Sequence, residues 1–146
     1  MASTDLRSLL QALSSQKFAE LQAAETAVKS FETQPGFHAL LLDHVQQRAI
    51  IDSSQRWIAV ILLKNGISRY WRKSVSHSMN PEEKNNIRMR ILHVAIDEDV
   101  PQILVQLAVI IGKIARTDFP HEWSFCFYSS LGYYLGLHYS MTFMLC

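Results

Sequence analysis

The sequence predicts an all-α protein built from helix hairpins, and three observations support this fold class. Apolar residues recur at three- and four-residue spacing along most of the chain, which is the periodicity of amphipathic helices. The breaks between these stripes are short and carry Pro, Gly, Ser or Asp, so consecutive helices are expected to run antiparallel. Two of the predicted helices also share a residue pattern, which indicates a repeat.

Three apolar stripes precede residue 50. The first covers Leu6 to Leu13, and Ser14-Ser15 separates it from a second, longer stripe that Pro35-Gly36 ends. In the second stripe we predict these residues to be buried: Phe18, Leu21, Ala24, Val28 and Phe31. The charged residues Glu20, Glu25, Lys29 and Glu32 are predicted to lie on its other faces.

The third stripe runs from Phe37 to Val45 and contains His44. No second metal ligand stands at helical spacing from this histidine, so we predict a structural role for it.

A central helix is predicted over Gln55 to Trp71, with Asp52 as its N-cap. Every residue from Trp57 to Leu63 is apolar, so this helix needs neighbours on two sides to be buried. Its second half carries a polar and basic stripe at three- and four-residue spacing: Lys64, Asn65, Ser68, Arg69, Arg72 and Lys73. One half is therefore expected to pack, and the other half is available to bind a partner.

A serine-rich loop, Arg72 to Met79, follows the central helix. Asn80-Pro81 then starts the fifth helix, with Asn as N-cap and Pro at the first helical position. The buried stripe of this helix is predicted at Ile87, Ile91, Val94 and Ala95, and its solvated side at Lys84, Arg88 and Arg90. The acidic residues 97–99 and Pro101 end this helix and begin the sixth.

The sixth helix, Pro101 to Arg116, repeats the pattern of the central one. Ile58 to Lys64 matches Leu107 to Lys113 at a constant offset of 49 residues, and Gln102, Gln106, Lys113 and Arg116 form a similar polar stripe. Antiparallel helix pairs that recur every roughly 40 to 50 residues are typical of HEAT repeats stacked in a solenoid.

Composition excludes several classes of function. The formal charge of +1 argues against a nucleic-acid binder, and the two cysteines lack metal-ligand or disulfide spacing, so neither a cofactor nor a metal is expected. No phosphate loop, nucleophile elbow or acid/base pair is present, so we do not expect an enzyme. The N-terminus does not resemble a secretory signal, and an intracellular location is predicted.

Several motifs in sequence order resemble the N-terminal domain of importin-β-type nuclear transport receptors, the karyopherins. They are the AETAVKSFETQPGF segment at 24–37, the KNGI and YW motifs within 56–71, the EEK at 82–84, the segment 106–116 and the HEW at 121–123. The resemblance is closest to the importin-eleven branch and covers residues 1–123. It implies a short right-handed solenoid of about three HEAT repeats, found in both cytoplasm and nucleus.

In that family the inner helices at the N-terminal end bind the small GTPase Ran in its GTP state, which releases imported cargo. The resemblance therefore implies candidate Ran contacts at Lys64, Asn65, Arg69, Gln102 and Gln106. The competing interpretation is that these side chains only solvate a helix. Trp57, Tyr70 and Trp71 are predicted to be core anchors between repeats rather than ligand contacts.

Residues 124–146 depart from the family pattern. Ser124 stands where a proline is expected, and the 23 residues contain no Asp, Glu, Lys or Arg but four of the five tyrosines and both cysteines. Three interpretations remain open. The first is that the chain is a truncated receptor whose tail is the product of alternative splicing, intron read-through or a mispredicted gene end. The second is a membrane anchor, which its serines and tyrosines disfavour, and the third is an apolar helix that covers the end of the solenoid.

Two functions are consistent with the sequence. The first is a truncated nuclear transport receptor that binds Ran, with cargo held by later repeats in the full-length proteins. The alternative is a helical-repeat scaffold or adaptor, with or without a membrane tether through its tail.

Overall fold

The computed structural model describes residues 3–119 and 121–122, and this part of the chain forms six α-helices and no strand. The helices are α1 (Ser3–Leu13), α2 (Phe18–Phe31), α3 (Phe37–Gln46), α4 (Ser53–Tyr70), α5 (Pro81–Ile96) and α6 (Pro101–Asp118). Contacts join α1 to α2, α3 to α4 and α5 to α6. The predicted all-α fold of three helix hairpins is confirmed.

Helix α4 is the most enclosed element of the described chain. It contacts α1, α3 and α6, which confirms that its apolar half needs neighbours on more than one side. Ala59, Val60 and Leu63 are completely buried. At its N-terminus the Asp52 carboxylate accepts hydrogen bonds from the amides of Ser54 and Gln55. The Ser54 hydroxyl and then the Gln55 amide lower the pKa of Asp52, as expected for an N-cap carboxylate.

The hairpins repeat in structure as well as in sequence. Helices α4 and α6 begin 48 residues apart, at Ser53 and Pro101, within one residue of the offset seen in the sequence. The outer helices also correspond, since Leu41 and Val45 are buried in α3 and Ile87 and Ile91 in α5, 46 residues later. Each hairpin therefore buries its apolar face against the next one.

Helices α3 and α4 approach closely at Gly66. The His38 ring, 1% exposed, packs over this glycine, and a Cβ atom at position 66 would lie 2.1 Å from His38 Nε2. The same ring lies 5.4 Å from Phe37 and 5.9 Å from Tyr70, measured between ring centroids. Only glycine leaves room for this packing at position 66.

The N-terminus of α3 is capped by the following hairpin. Its N-cap residue is Gly36, with φ of 84°, which has no side chain to accept hydrogen bonds. Instead the Glu83 carboxylate of α5 accepts from the amides of Gly36, His38 and Ala39 at 3.0, 2.9 and 3.2 Å. A charge-assisted contact thus holds the second and third hairpins together.

A buried ion pair links α4 to the loop between α5 and α6. The guanidinium of Arg56, 3% exposed, pairs with Glu98, and its Nε donates to the Val45 carbonyl at 2.8 Å. Glu98 also accepts from the Val100 amide at 2.9 Å. The buried charge is therefore neutralised and both partners are hydrogen-bonded.

Two basic residues predicted to face solvent are buried instead. Lys84 and Arg88 of α5 are only 4% and 8% exposed. Arg88 Nε donates to Asp118 Oδ2 at 2.8 Å, Trp71 Nε1 donates to the same oxygen at 2.9 Å, and both cations lie within 6 Å of the Trp71 ring centroid. The prediction was wrong because the partners, Trp71 and Asp118, come from other helices. Burial lowers the pKa of Lys84.

Helix α2 also departs from its predicted pattern. Phe18 is 78% exposed, Glu32 is only 7% exposed, and Ala24 and Val28 are the buried residues of this helix. The reason is that α2 packs chiefly on α1, and α4 contacts α1 more than it contacts α2. The buried face of α2 is therefore narrower than its apolar stripe.

His44 is buried, with Nδ1 3.1 Å from the Leu40 carbonyl oxygen, as expected for a structural histidine. Over residues 3–119 and 121–122, no group of three or more His, Cys, Asp or Glu side chains is placed to hold a metal ion. Nor does any helix in those ranges combine the length and hydropathy that a bilayer crossing requires. Trp123 and the tail at 124–146 lie outside the described residues.

We predict opposite effects of alanine at two glycines. Gly66→Ala should lower the free energy of unfolding by about 2–3 kcal/mol, because its methyl group overlaps the buried His38 ring. Gly112→Ala, in a helix with nothing within 4 Å of the new methyl group, should raise it by up to about 1 kcal/mol. Urea unfolding followed by circular dichroism measures both, and a neutral Gly66→Ala would contradict the close α3–α4 packing.

We also predict a pH dependence that originates at Glu83. Burial by itself raises the pKa of this carboxyl, but the nearby His38 ring and the amides of Gly36 and Ala39 outweigh it, so the pKa is lowered. Because the pKa is lower in the folded state, the stability from Glu83 is present above about pH 4.5 and is lost as the pH falls below that value.

Glu83→Gln should therefore be less stable than the wild type by about 2 kcal/mol at neutral pH, with the difference shrinking in acid. Unfolding curves at pH 7 and pH 3.5 measure this. A difference that stays constant between the two pH values would show that the charge of Glu83 has no role.

Candidate interface on the inner helices

All five candidate contact residues lie on the inner helices α4 and α6. The third inner helix, α2, lines a groove beside α4. Between α2 and α4 lies a groove of about 370 Å³. Apolar side chains, among them Val28, Ile58 and Ile61, line it together with the polar Asn65 and Arg69. The groove exists because α2 packs chiefly on α1 and leaves one side of α4 open.

Arg69 spans this groove at the C-terminal end of α4. Its Nη1 donates to both carboxylate oxygens of Glu32, at 3.0 and 2.8 Å, and so connects α4 to α2. The side chain of Arg69 is 55% exposed, whereas that of Glu32 is 8% exposed. Tyr70 donates its hydroxyl to Glu32 at 3.2 Å, and burial together with the carboxylate raises the pKa of Tyr70. The pair stabilises α2 against α4 while leaving the guanidinium open to solvent.

Lys64 faces the opposite side of α4. Its Nζ donates to Gln106 Oε1 of α6 at 2.9 Å, and both residues are half-buried. Two of the five candidates are thus in direct contact and connect neighbouring inner helices. An incoming acidic group would have to share or replace this neutral partner, which costs less than separating an ion pair.

The two remaining candidates lie at separate places. Asn65 is half-buried and lines the groove between α2 and α4. Gln102 is exposed at the first turn of α6 and lines a second cavity of about 320 Å³, together with Ser53, Ser54 and Trp57. The five candidates therefore do not form one patch. Lys64 and Gln106 lie together, Asn65 and Arg69 share the first groove, and Gln102 lies in the second cavity.

Trp57 differs from the prediction that it is a core anchor. It is 38% exposed and lines both the groove beside α2 and the cavity beside α6. Trp71 is buried at 3% exposure and Tyr70 is half-buried, in line with the prediction for those two. An exposed tryptophan between two concavities is the kind of side chain that anchors protein interfaces.

Sequence patterns could not have identified Glu32 as part of this surface. It stands among exposed glutamates at helical spacing, and its partner Arg69 is 37 residues away in the chain. The exposure of Trp57 could not be predicted for another reason. This residue begins an apolar run that is otherwise half-buried or fully buried. Its position at the edge of that run was the only available signal.

The charge of α4 and α6 is predominantly positive. Helix α4 contains no Asp or Glu, and the single acidic residue of α6, Asp118, is buried against Trp71 and Arg88. The basic side chains of the two helices include Lys64, Arg69, Lys113 and Arg116. The arrangement offers a basic surface with apolar concavities, which suits binding of a protein surface.

Comparisons with known proteins agree with this architecture. The family model described as importin-beta N-terminal domain matches residues 24–97, from α2 to the end of α5. The chain is 40% identical over 122 residues to Importin-11 of Homo sapiens, and 39% identical over the same length to Importin-11 of Mus musculus. It is also 40% identical over 100 residues to the importin beta-like protein KAP120 of Saccharomyces cerevisiae.

These matches cover most of this chain but little of the relatives. The aligned residues make up 84% of this chain and 12% of each Importin-11, and 68% of this chain and 10% of KAP120. The chain therefore spans only about an eighth of the length of the Importin-11 proteins.

Proposed function

The chain belongs to the importin-β N-terminal domain family, and on that basis we propose that α4 and α6 bind the small GTPase Ran in its GTP state. The chain would then be an N-terminal fragment or truncated form of a nuclear transport receptor. Its place of action would be the cytoplasm and nucleus, and cargo would be bound by the longer family members.

The observation that carries this proposal is the basic surface of α4 and α6. The side chain of Arg69 is 55% exposed, although it already pairs with Glu32. Among the described residues the partner of Lys64 is the neutral Gln106, and α4 itself contains no Asp or Glu. A GTPase that is recognised through a nucleotide-dependent surface needs such a preformed platform, because a rigid site distinguishes two conformations of its partner better than a mobile one.

The exposed ring of Trp57 supports the same proposal, because it offers an apolar contact beside the basic residues. Its exposed ring lies between two concavities, so a partner on this surface would bury it while contacting the basic residues. Together, a central aromatic side chain and surrounding polar groups reproduce the usual composition of a protein interface.

We predict that the full chain binds Ran loaded with a non-hydrolysable GTP analogue at least tenfold more tightly than Ran loaded with GDP. Lys64→Ala should weaken binding to the GTP form about tenfold, equivalent to ~1.4 kcal/mol, because it removes a half-buried charge from the platform. Isothermal titration calorimetry or surface plasmon resonance measures both effects.

The matched control is Lys17→Ala, which removes an exposed lysine that lies before α2 and pairs only with Glu20 in the described contacts. It should leave the affinity unchanged. Arg69→Ala is less informative, because it also leaves the buried Glu32 without its ion-pair partner. Equal affinity for the two nucleotide states, or equal loss in both lysine variants, would contradict the proposal and favour the scaffold function.

A further inference from the structure

Helix α6 exposes an apolar face where α4 does not. Leu104, Val105 and Val109 are 40%, 57% and 41% exposed, and Ala108 and Gly112 on the same side are also exposed. These positions recur at three- and four-residue spacing, so they form one continuous side of the helix. A helix in water normally presents polar residues there.

Comparison with α4 shows what this face corresponds to. Trp57 and Lys64 are on the side of α4 that faces α6, because Trp57 lines a cavity with Ile103 and Lys64 donates to Gln106. The buried residues of the two helices match at an offset of 47, since Val60, Leu63 and Ile67 correspond to Leu107, Ile110 and Ile114. Leu104 therefore corresponds to Trp57, at the edge that α4 turns toward the following hairpin, whereas Val105 and Val109 correspond to Ile58 and Leu62, which line the groove beside α2.

The described residues contain no helix that covers this face, and the sequence that follows has suitable chemistry. Residues 124–146 contain no Asp, Glu, Lys or Arg, and they include three phenylalanines and four tyrosines. Such a segment can be buried against Leu104, Val105 and Val109 without taking a charged side chain out of water.

The length of this segment is also sufficient. Helix α6 has 18 residues, about 27 Å at 1.5 Å per residue, and the 23 residues of the tail reach farther than that in either a helical or an extended conformation. The segment starts six residues after Asp118, the last residue of α6, so it can return along the same helix.

We propose that residues 124–146 dock on the exposed apolar face of α6 and cover it. Such docking would remove Leu104, Val105 and Val109 from water, which favours the contact. The occupant is a part of the same chain, not a membrane or a second copy. This proposal does not depend on Ran binding.

The two native cysteines, Cys126 and Cys146, both lie in the tail and make a direct test possible. A third cysteine is introduced into the full chain by Val109→Cys on the exposed face of α6, or by Met89→Cys on α5 as matched control. Met89 is 59% exposed and Val109 is 41% exposed, so neither substitution disturbs the core. After mild oxidation, tryptic peptides are analysed by mass spectrometry for disulfides between the introduced cysteine and Cys126 or Cys146.

We expect the intramolecular disulfide to form at least tenfold faster in Val109→Cys than in Met89→Cys, at a rate independent of protein concentration, because a disulfide needs Cα atoms about 4.4–6.8 Å apart. Val105→Cys, on the same face, should behave like Val109→Cys. Equal rates at the α5 and α6 positions would overturn the proposal. So would disulfides that form only between two copies, which would make this face a dimer interface.

Discussion

The enclosure of α4 is the constraint on which the rest of the structure depends. Its run from Trp57 to Leu63 is too apolar to be satisfied by one neighbour, and α1, α3 and α6 each supply a part of the required contact. Polar contacts then fix the hairpins around it. Glu83 caps α3, Arg56 pairs with Glu98, and Trp71 shares Asp118 with Arg88.

The same constraint explains why one surface of the inner helices is available for binding. Because α2 packs on α1, α4 keeps an open side on which Arg69 and Asn65 are displayed, with Trp57 at the other end of the groove. Arg69 and Lys64 both contact a neighbouring inner helix, through Glu32 and Gln106. A partner that engages these cations therefore acts on the spacing between hairpins as well as on a single helix.

The sequence predicted the six helices and their boundaries well, because caps such as Asp52 and Asn80 and breaks such as Pro35-Gly36 are local signals. It failed at Lys84, Arg88 and Glu32, whose burial depends on partners 13 to 37 residues away in the chain. It also failed to separate the five candidate contacts into different places, since helical spacing gives a face but not the groove beside it. Local patterns determine the secondary-structure elements, whereas the burial of charged side chains depends on tertiary contacts.

Native-state hydrogen exchange followed by mass spectrometry tests the central role of α4 most directly. We expect the amides of Ala59 to Ile67 to exchange slowest, with a free energy equal to that of global unfolding, and those of α2 to exchange faster, because α2 buries only Ala24 and Val28. Exchange of α4 amides that is as fast as that of α2 would contradict the account, since it would show that the hairpins open without breaking the contacts around α4.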